Sequence, residues 1–85
     1  MRSYLVETYV PRSRPGEAHA AGRRVESAAA SLSGRGIAVR YVRTTLLPDD
    51  ETCFHLVEAP SADAVREVCR LADLAHGRIV GAVET

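Results

Sequence analysis

Cys53 and His55 stand two residues apart in the run TCFHLVE, Thr52 to Glu58, the sharpest local concentration of chemistry in the chain. On a β-strand, residues i and i+2 project to the same side, about 6.6 Å apart along the chain. A thiolate and an imidazole at that separation can share one borderline-soft divalent metal such as nickel or zinc. Glu7, on a neighbouring strand, would add a carboxylate oxygen. A single C-x-H is a weaker metal signal than paired C-x-x-C motifs. The plain alternative makes His55 a hydrogen-bonded interface residue and Cys53 a small buried hydrophobe. His55 also suits a general acid or base, because its ordinary pKa lies near neutrality. In that reading Glu7 or Arg40 orients the imidazole or a substrate, and Tyr9 belongs to the binding surface. Cys53 as a nucleophile activated by His55 is a further option, although side chains two apart on one strand run parallel and need not touch.

Other residues have simpler explanations. His19 lies off the apolar stripe of its helical segment, and His76, beside Gly77, reads as a helix C-terminal residue favoured by the dipole. Cys69 borders an apolar stripe and reads as core. Glu58, just before Pro60, reads as a structural hydrogen-bond partner for a nearby loop. Arg12 and Arg14 with Gly16 precede a helix and suit an anion there, yet PRSRPG matches no phosphate-loop pattern and reads as a solvated loop. No G-x-S-x-G, H-E-x-x-H or G-x-G-x-x-G occurs.

These residues need elements to position them. Ser3 to Val10 alternates in strand fashion, with Tyr4, Val6, Thr8 and Val10 on one side and Leu5, Glu7 and Tyr9 on the other. Pro11 to Gly16 is a loop. Ala18, Ala21, Val25, Ala28, Ala29 and Leu32 then form a helical stripe, with Glu17 in the first turn and Gly34 or Gly36 at the end. Ile37 to Leu47 reads as a second strand, closed by a turn at Pro48 to Asp50, and Thr52 to Glu58 as a third. Ser61 is an N-cap for a second helix whose stripe is Ala64, Val65, Val68, Leu71 and Ala72, ended by Gly77. Arg78 to Glu84 reads as a fourth strand. The order β-α-β-β-α-β predicts a single ferredoxin-like α+β domain over 1–85, with both helices on one face of a four-stranded antiparallel sheet.

Composition bounds the function. The 85 residues carry eleven arginines, no lysine and eleven carboxylates, for a formal net charge of zero. Neutrality argues against nucleic-acid binding, whose affinity rests on basic surface. The third strand also lacks the paired aromatics on which RNA-binding domains of this architecture stack bases. No apolar run approaches the ~18 residues of a membrane span. The start of the chain does not read as a signal peptide, and two cysteines are too few for a disulfide scaffold, so a cytoplasmic setting is expected. A domain this short buries only about 60% of its unfolded surface, so a second copy is expected to supply more.

The uncovered sheet face is the natural place for that copy. If Val6, Ile37, Val39, Phe54, Leu56 and Ile79 point to the helices, alternation sends Leu5, Glu7, Tyr9, Arg40, Val42, Thr44, Cys53, His55, Val57, Val80 and Ala82 outward. That half-apolar set marks a partner or ligand surface. Two sheets packed face to face would make a homodimer of the dimeric α+β-barrel type. Its shared cavity, bordered by Glu7, Arg40, Cys53 and His55, would take a metal ion or a small molecule.

Three stretches carry a resemblance: YLVE (Tyr4 to Glu7), VRYVRTTLLPDDETCFHLVEAPSADAVRE (Val39 to Glu67) and GRIV (Gly77 to Val80). They resemble a family of small bacterial proteins of uncharacterised function that includes a nickel-binding member from actinobacteria. The resemblance covers nearly the whole chain. It implies a ferredoxin-like fold, a homodimer built on the sheet faces and, for at least one member, nickel or another divalent transition metal as ligand. Glu7, Cys53 and Glu58 match family positions, whereas for His55 the resemblance implies a position that is nonpolar or variable in many relatives.

Overall fold

A computed structural model describes residues 1–83 and 85. Strand β1 spans Arg2–Tyr9, helix α1 Gly16–Gly34, β2 Arg40–Leu47, β3 Thr52–Ala59, helix α2 Ala62–Leu71 and β4 Ile79–Ala82, with a single 3₁₀ turn at Pro48–Asp50 between β2 and β3. The four strands form one antiparallel sheet in the order β2-β3-β1-β4. The expected ferredoxin-like α+β architecture is thus present.

The helices form where local chemistry asks for them. Helix α1 buries Ala18, Ala21, Val25, Ala28, Ala29 and Leu32, the stripe read from the sequence, and adds Gly22. It closes on a left-handed Gly36 (φ 90°), with Gly36 N–H donating to Ser33 O and Ile37 N–H to Leu32 O, both at 3.0 Å. Ser61 caps α2, its hydroxyl accepting from Ala64 N–H at 3.2 Å. The end of α2 falls earlier than Gly77 suggests. Asp73 takes the left-handed conformation (φ 51°), its N–H reaches Arg70 O, and Leu74 N–H reaches Cys69 O. An aspartate tolerates that conformation, so the helix closes without a glycine. Gly77 packs instead against β1, donating its N–H to Glu7 O at 2.8 Å.

Both helices cover the same sheet face. Val25 and Leu32 of α1 and Val65 and Val68 of α2 share one core with Tyr4 and Val6 of β1 and Val57 and Ala59 of β3. Each such aliphatic side chain contributes about 1.5–3 kcal/mol on full burial. Directly opposed residues in an antiparallel pair project to the same face. The β1–β3 register opposes Val6 to His55 and Thr8 to Cys53. Cys53, His55 and Val57 therefore lie under the helices, fully buried, and not on the open face where the alternation of β3 alone had placed them. Phe54, Leu56 and Glu58 take the open face.

Strand β2 switches its alternation part-way. A β-bulge between Tyr41 and Arg43 gives the strand one extra residue. Arg40, opposite Glu58, faces outward as expected, but beyond the bulge Thr44, opposite His55, faces the helices. β2 is also shorter than Ile37 to Leu47, and β4 shorter than Arg78 to Glu84; of that last stretch, Glu84 lies outside the described residues.

Candidate functional site

A chain of polar side chains runs through the otherwise apolar layer between sheet and helices. The Tyr41 hydroxyl lies 2.7 Å from Thr44 Oγ1, and Thr44 Oγ1 lies 2.8 Å from His55 Nδ1. On the other side of the ring, His55 Nε2 lies 3.4 Å from Thr8 Oγ1 and 3.8 Å from Cys53 Sγ. Thr8 donates its own proton to Cys53 O at 3.5 Å. Thr8 Oγ1 is thus within reach of both Cys53 O and His55 Nε2, and the ring's tautomer sets which of its nitrogens donates. Tyr41, Thr44, His55 and Thr8 thus form one continuous hydrogen-bonded chain ending at the backbone of β3.

Burial sets the protonation of both candidate ligands and disfavours the metal-binding form of Cys53 alone. Desolvation, helped by the Arg24 cation, lowers the His55 pKa to about 4. Desolvation also raises the Cys53 pKa, opposed only partly by Thr8, so its thiol keeps its proton at neutral pH. Cys69, likewise buried, is pushed up to about 11. Neither Cys53 nor His55 has exposed surface.

The residues expected to converge are distributed over both faces. Glu7, opposite Phe54, is on the open face and pairs with Arg78 at 3.5 Å, with the thickness of the sheet between its side chain and His55. Arg40, also on the open face, forms an ion pair with Glu58 at 2.8 Å. That pair, and not a loop, is the partner of Glu58. Tyr9 is 70% exposed, and its hydroxyl donates to Glu51 at 3.5 Å. Glu7, Arg40 and Tyr9 thus share one face, while Cys53 and His55 occupy the other. A cavity between two open faces would not meet His55, which removes it as an acid or base there.

The remaining candidates settle locally. His19 is an exposed residue of α1, and Cys69 belongs to the core. His76 lies beyond the end of α2, in an exposed segment, with Nδ1 3.3 Å from Leu74 O. Arg12 ties its loop to the β2–β3 turn, donating from Nη2 to Asp49 O at 2.9 Å and from its backbone N–H to the Glu51 carboxylate at 2.8 Å.

Sequence reasoning missed a groove of about 470 Å³ between α1 and β2, into which Gly22, Tyr41 and Thr44 open. The one available signal was Gly22 itself. A glycine inside a helical pattern costs about 1 kcal/mol against alanine and so points to a packing reason. Here a Cβ would stand 2.6 Å from Thr44 Oγ1 and 3.2 Å from the Tyr41 hydroxyl.

Comparison with known families adds the deciding observation: the pattern described as "nickel responsive protein SCO4226-like" matches residues 4–81. The chain belongs to the SCO4226-like family. The match runs from Tyr4 within β1 to Gly81 within β4 and takes in β2, β3 and both helices whole. No curated protein and no solved structure matches this SCO4226-like chain. The family description refers to nickel. Among the described residues, no three His, Cys, Asp or Glu side chains gather into a group able to hold a metal ion. Cys53 and His55 have the donor types nickel favours. Metal ligation needs a thiolate and an unprotonated ring nitrogen; burial leaves His55 a neutral imidazole but keeps Cys53 a protonated thiol. A single SCO4226-like protomer, folded as here, does not fit the ion at that pair.

Proposed function

We propose that this chain is a nickel-binding protein that works as a homodimer joined through its open sheet faces, with the ion held where two copies meet. Glu7 is the ligand we assign to it, completed by groups of the second copy, and binding proceeds without turnover. The carrying observation is the pattern of the open face. Leu56, Leu5 and Val80 are opposed in one row across β3, β1 and β4, with Phe54 and the Glu7 carboxylate opposed in the next row. Among the described residues no helix covers this row, and Leu56 belongs to neither core cluster. An apolar row beside a carboxylate supports a contact that excludes water around a charged ligand. Membership of a nickel-responsive family supports the choice of ion. Both cysteines are free thiols, which supports a reducing, cytoplasmic setting.

Light scattering and nickel calorimetry test the reading together. The wild type should be a dimer that takes up nickel. Leu5→Asp should give a folded monomer without nickel uptake, and Glu7→Gln a dimer whose nickel affinity is at least tenfold weaker. Cys53→Ser should leave uptake unchanged. A monomeric wild type, or uptake lost on Cys53→Ser and kept on Glu7→Gln, overturns the proposal.

A further inference from the structure

His76 stands beside the carboxylate to which nickel is assigned, and backbone hydrogen bonds hold it there. Gly77 donates its N–H to Glu7 O at 2.8 Å, and Glu7 donates its own N–H to Arg78 O at 2.9 Å. Both backbone groups of Glu7 are thereby tied to the segment that carries His76. The bare Cα of Gly77 lets the Glu7 carboxylate lie close, since a Cβ there would stand 3.4 Å from Oε1. His76 and Glu7 line one cleft of about 480 Å³. It reaches the end of the open face, where Tyr9 opposes Thr52.

The His76 ring is set up to ligate. Its Nδ1 lies 3.3 Å from Leu74 O. A carbonyl only accepts, so Nδ1 carries the proton and the neutral ring keeps its lone pair on Nε2. Metal-bound histidines are commonly held this way, one ring nitrogen donating to a backbone carbonyl while the other binds the ion. His55 differs: both its ring nitrogens meet hydroxyls, and the ring is wholly buried. His76 is exposed.

The charge of the cleft selects a cation. Glu7, Asp50 and Glu51 line it, and no arginine does. Glu51 is already engaged, accepting from Arg12 N–H at 2.8 Å and from the Tyr9 hydroxyl at 3.5 Å, so it contributes field and not a ligand. Arg78 reaches Glu7 Oε1 from outside the lining, at 3.5 Å. That contact is long and open to solvent, and a divalent ion displaces it at little cost. An imidazole nitrogen with a carboxylate oxygen is a donor set that nickel accepts. Among the described residues, no three His, Cys, Asp or Glu side chains form an ion-holding group in one protomer, so the pair needs further donors from outside it.

We infer that His76 is the second ligand of the nickel site, binding through Nε2 beside Glu7, with the remaining positions filled by the second copy and water. The inference rests on the nickel dimer proposed above and supplies the nitrogen donor that Glu7 lacks.

Nickel calorimetry on the full chain tests it with His76→Ala and, as a control, His19→Ala, which alters an exposed histidine lining a different groove. His76→Ala should stay dimeric by light scattering and lose nickel affinity by about tenfold or more, with His19→Ala unchanged. A second readout needs no variant. Substoichiometric nickel, paramagnetic when octahedral, should broaden the His76 ring signals in an imidazole nitrogen–proton correlation spectrum before those of His19. Uptake that weakens on Glu7→Gln but not on His76→Ala, or earlier broadening of His19, overturns the inference and leaves the Glu7 assignment standing. Uptake indifferent to Glu7→Gln overturns both.

Discussion

His55 Nδ1 lies 2.8 Å from Thr44 Oγ1, joining the centre of the core to the floor of a surface groove. The ring is clasped by Thr44 on β2 and Thr8 on β1, so it ties the edge strand to the middle of the sheet. Removing it opens a cavity and strands two hydroxyls at once. His55→Ala should therefore cost about 3 kcal/mol. The check is a urea midpoint at constant slope, and a loss below about 1 kcal/mol would refute the account of a fully engaged ring.

The same ring makes stability depend on pH in a defined direction. Its pKa falls from 6.5 to about 4 on folding. Between those values the unfolded chain binds more protons than the native one, so stability rises with pH. The contribution is complete above about pH 6.5, shrinks as pH falls, and is gone below about pH 4. At about 1.4 kcal/mol per pH unit the full effect is about 3 kcal/mol. Urea midpoints from pH 4 to 7 should slope more steeply for the wild type than for His55→Gln; equal slopes would exclude it.

Gly22→Ala sets helix propensity against packing. The gain of about 1 kcal/mol in the helix meets a Cβ placed 2.6 Å from Thr44 Oγ1. Thr44 has little freedom to move while it holds His55, so net destabilisation of about 1–2 kcal/mol is expected. In Thr44→Ala the collision is gone, and Gly22→Ala should become neutral or stabilising. A double-mutant cycle measures that coupling; additive effects would place the strain elsewhere.

Neither thiol should react in the native state. Cys53 and Cys69 are buried, and both pKa values are raised by desolvation. At pH 8, an aromatic disulfide reagent should label both within minutes in urea, and neither at a comparable rate without it. Rapid native labelling of Cys53 would reveal access to the Cys53–His55 pair.

Much of the fold was legible because its signals are local. The α1 stripe from Ala18 to Leu32, the Ser61 cap and the Pro48 turn all appeared where the residues placed them. The site was less legible. TCFHLVE has apolar residues at both parities, so hydrophobicity gave no decision between Cys53-His55-Val57 and Phe54-Leu56. Phe54 and Leu56 looked like core, yet the buried layer takes Cys53, His55 and Val57 instead. The Tyr41–Thr44–His55 chain joins residues on two strands through a bulge, and no spacing within either strand announces it.

The sequence by itself determined the order of elements, their approximate limits and the α+β class, because periodicity, caps and turns depend on residues close together in the chain. It also supplied the patterns that match the SCO4226-like family. Only the tertiary structure decided which side of β3 meets the helices. Alternation says that neighbours on a strand differ in face, but the opposition of Val6 to His55 says which face is which. That long-range register separates Glu7 from Cys53 and His55 by the sheet itself and, with the bulge in β2, turns Thr44 towards the buried ring.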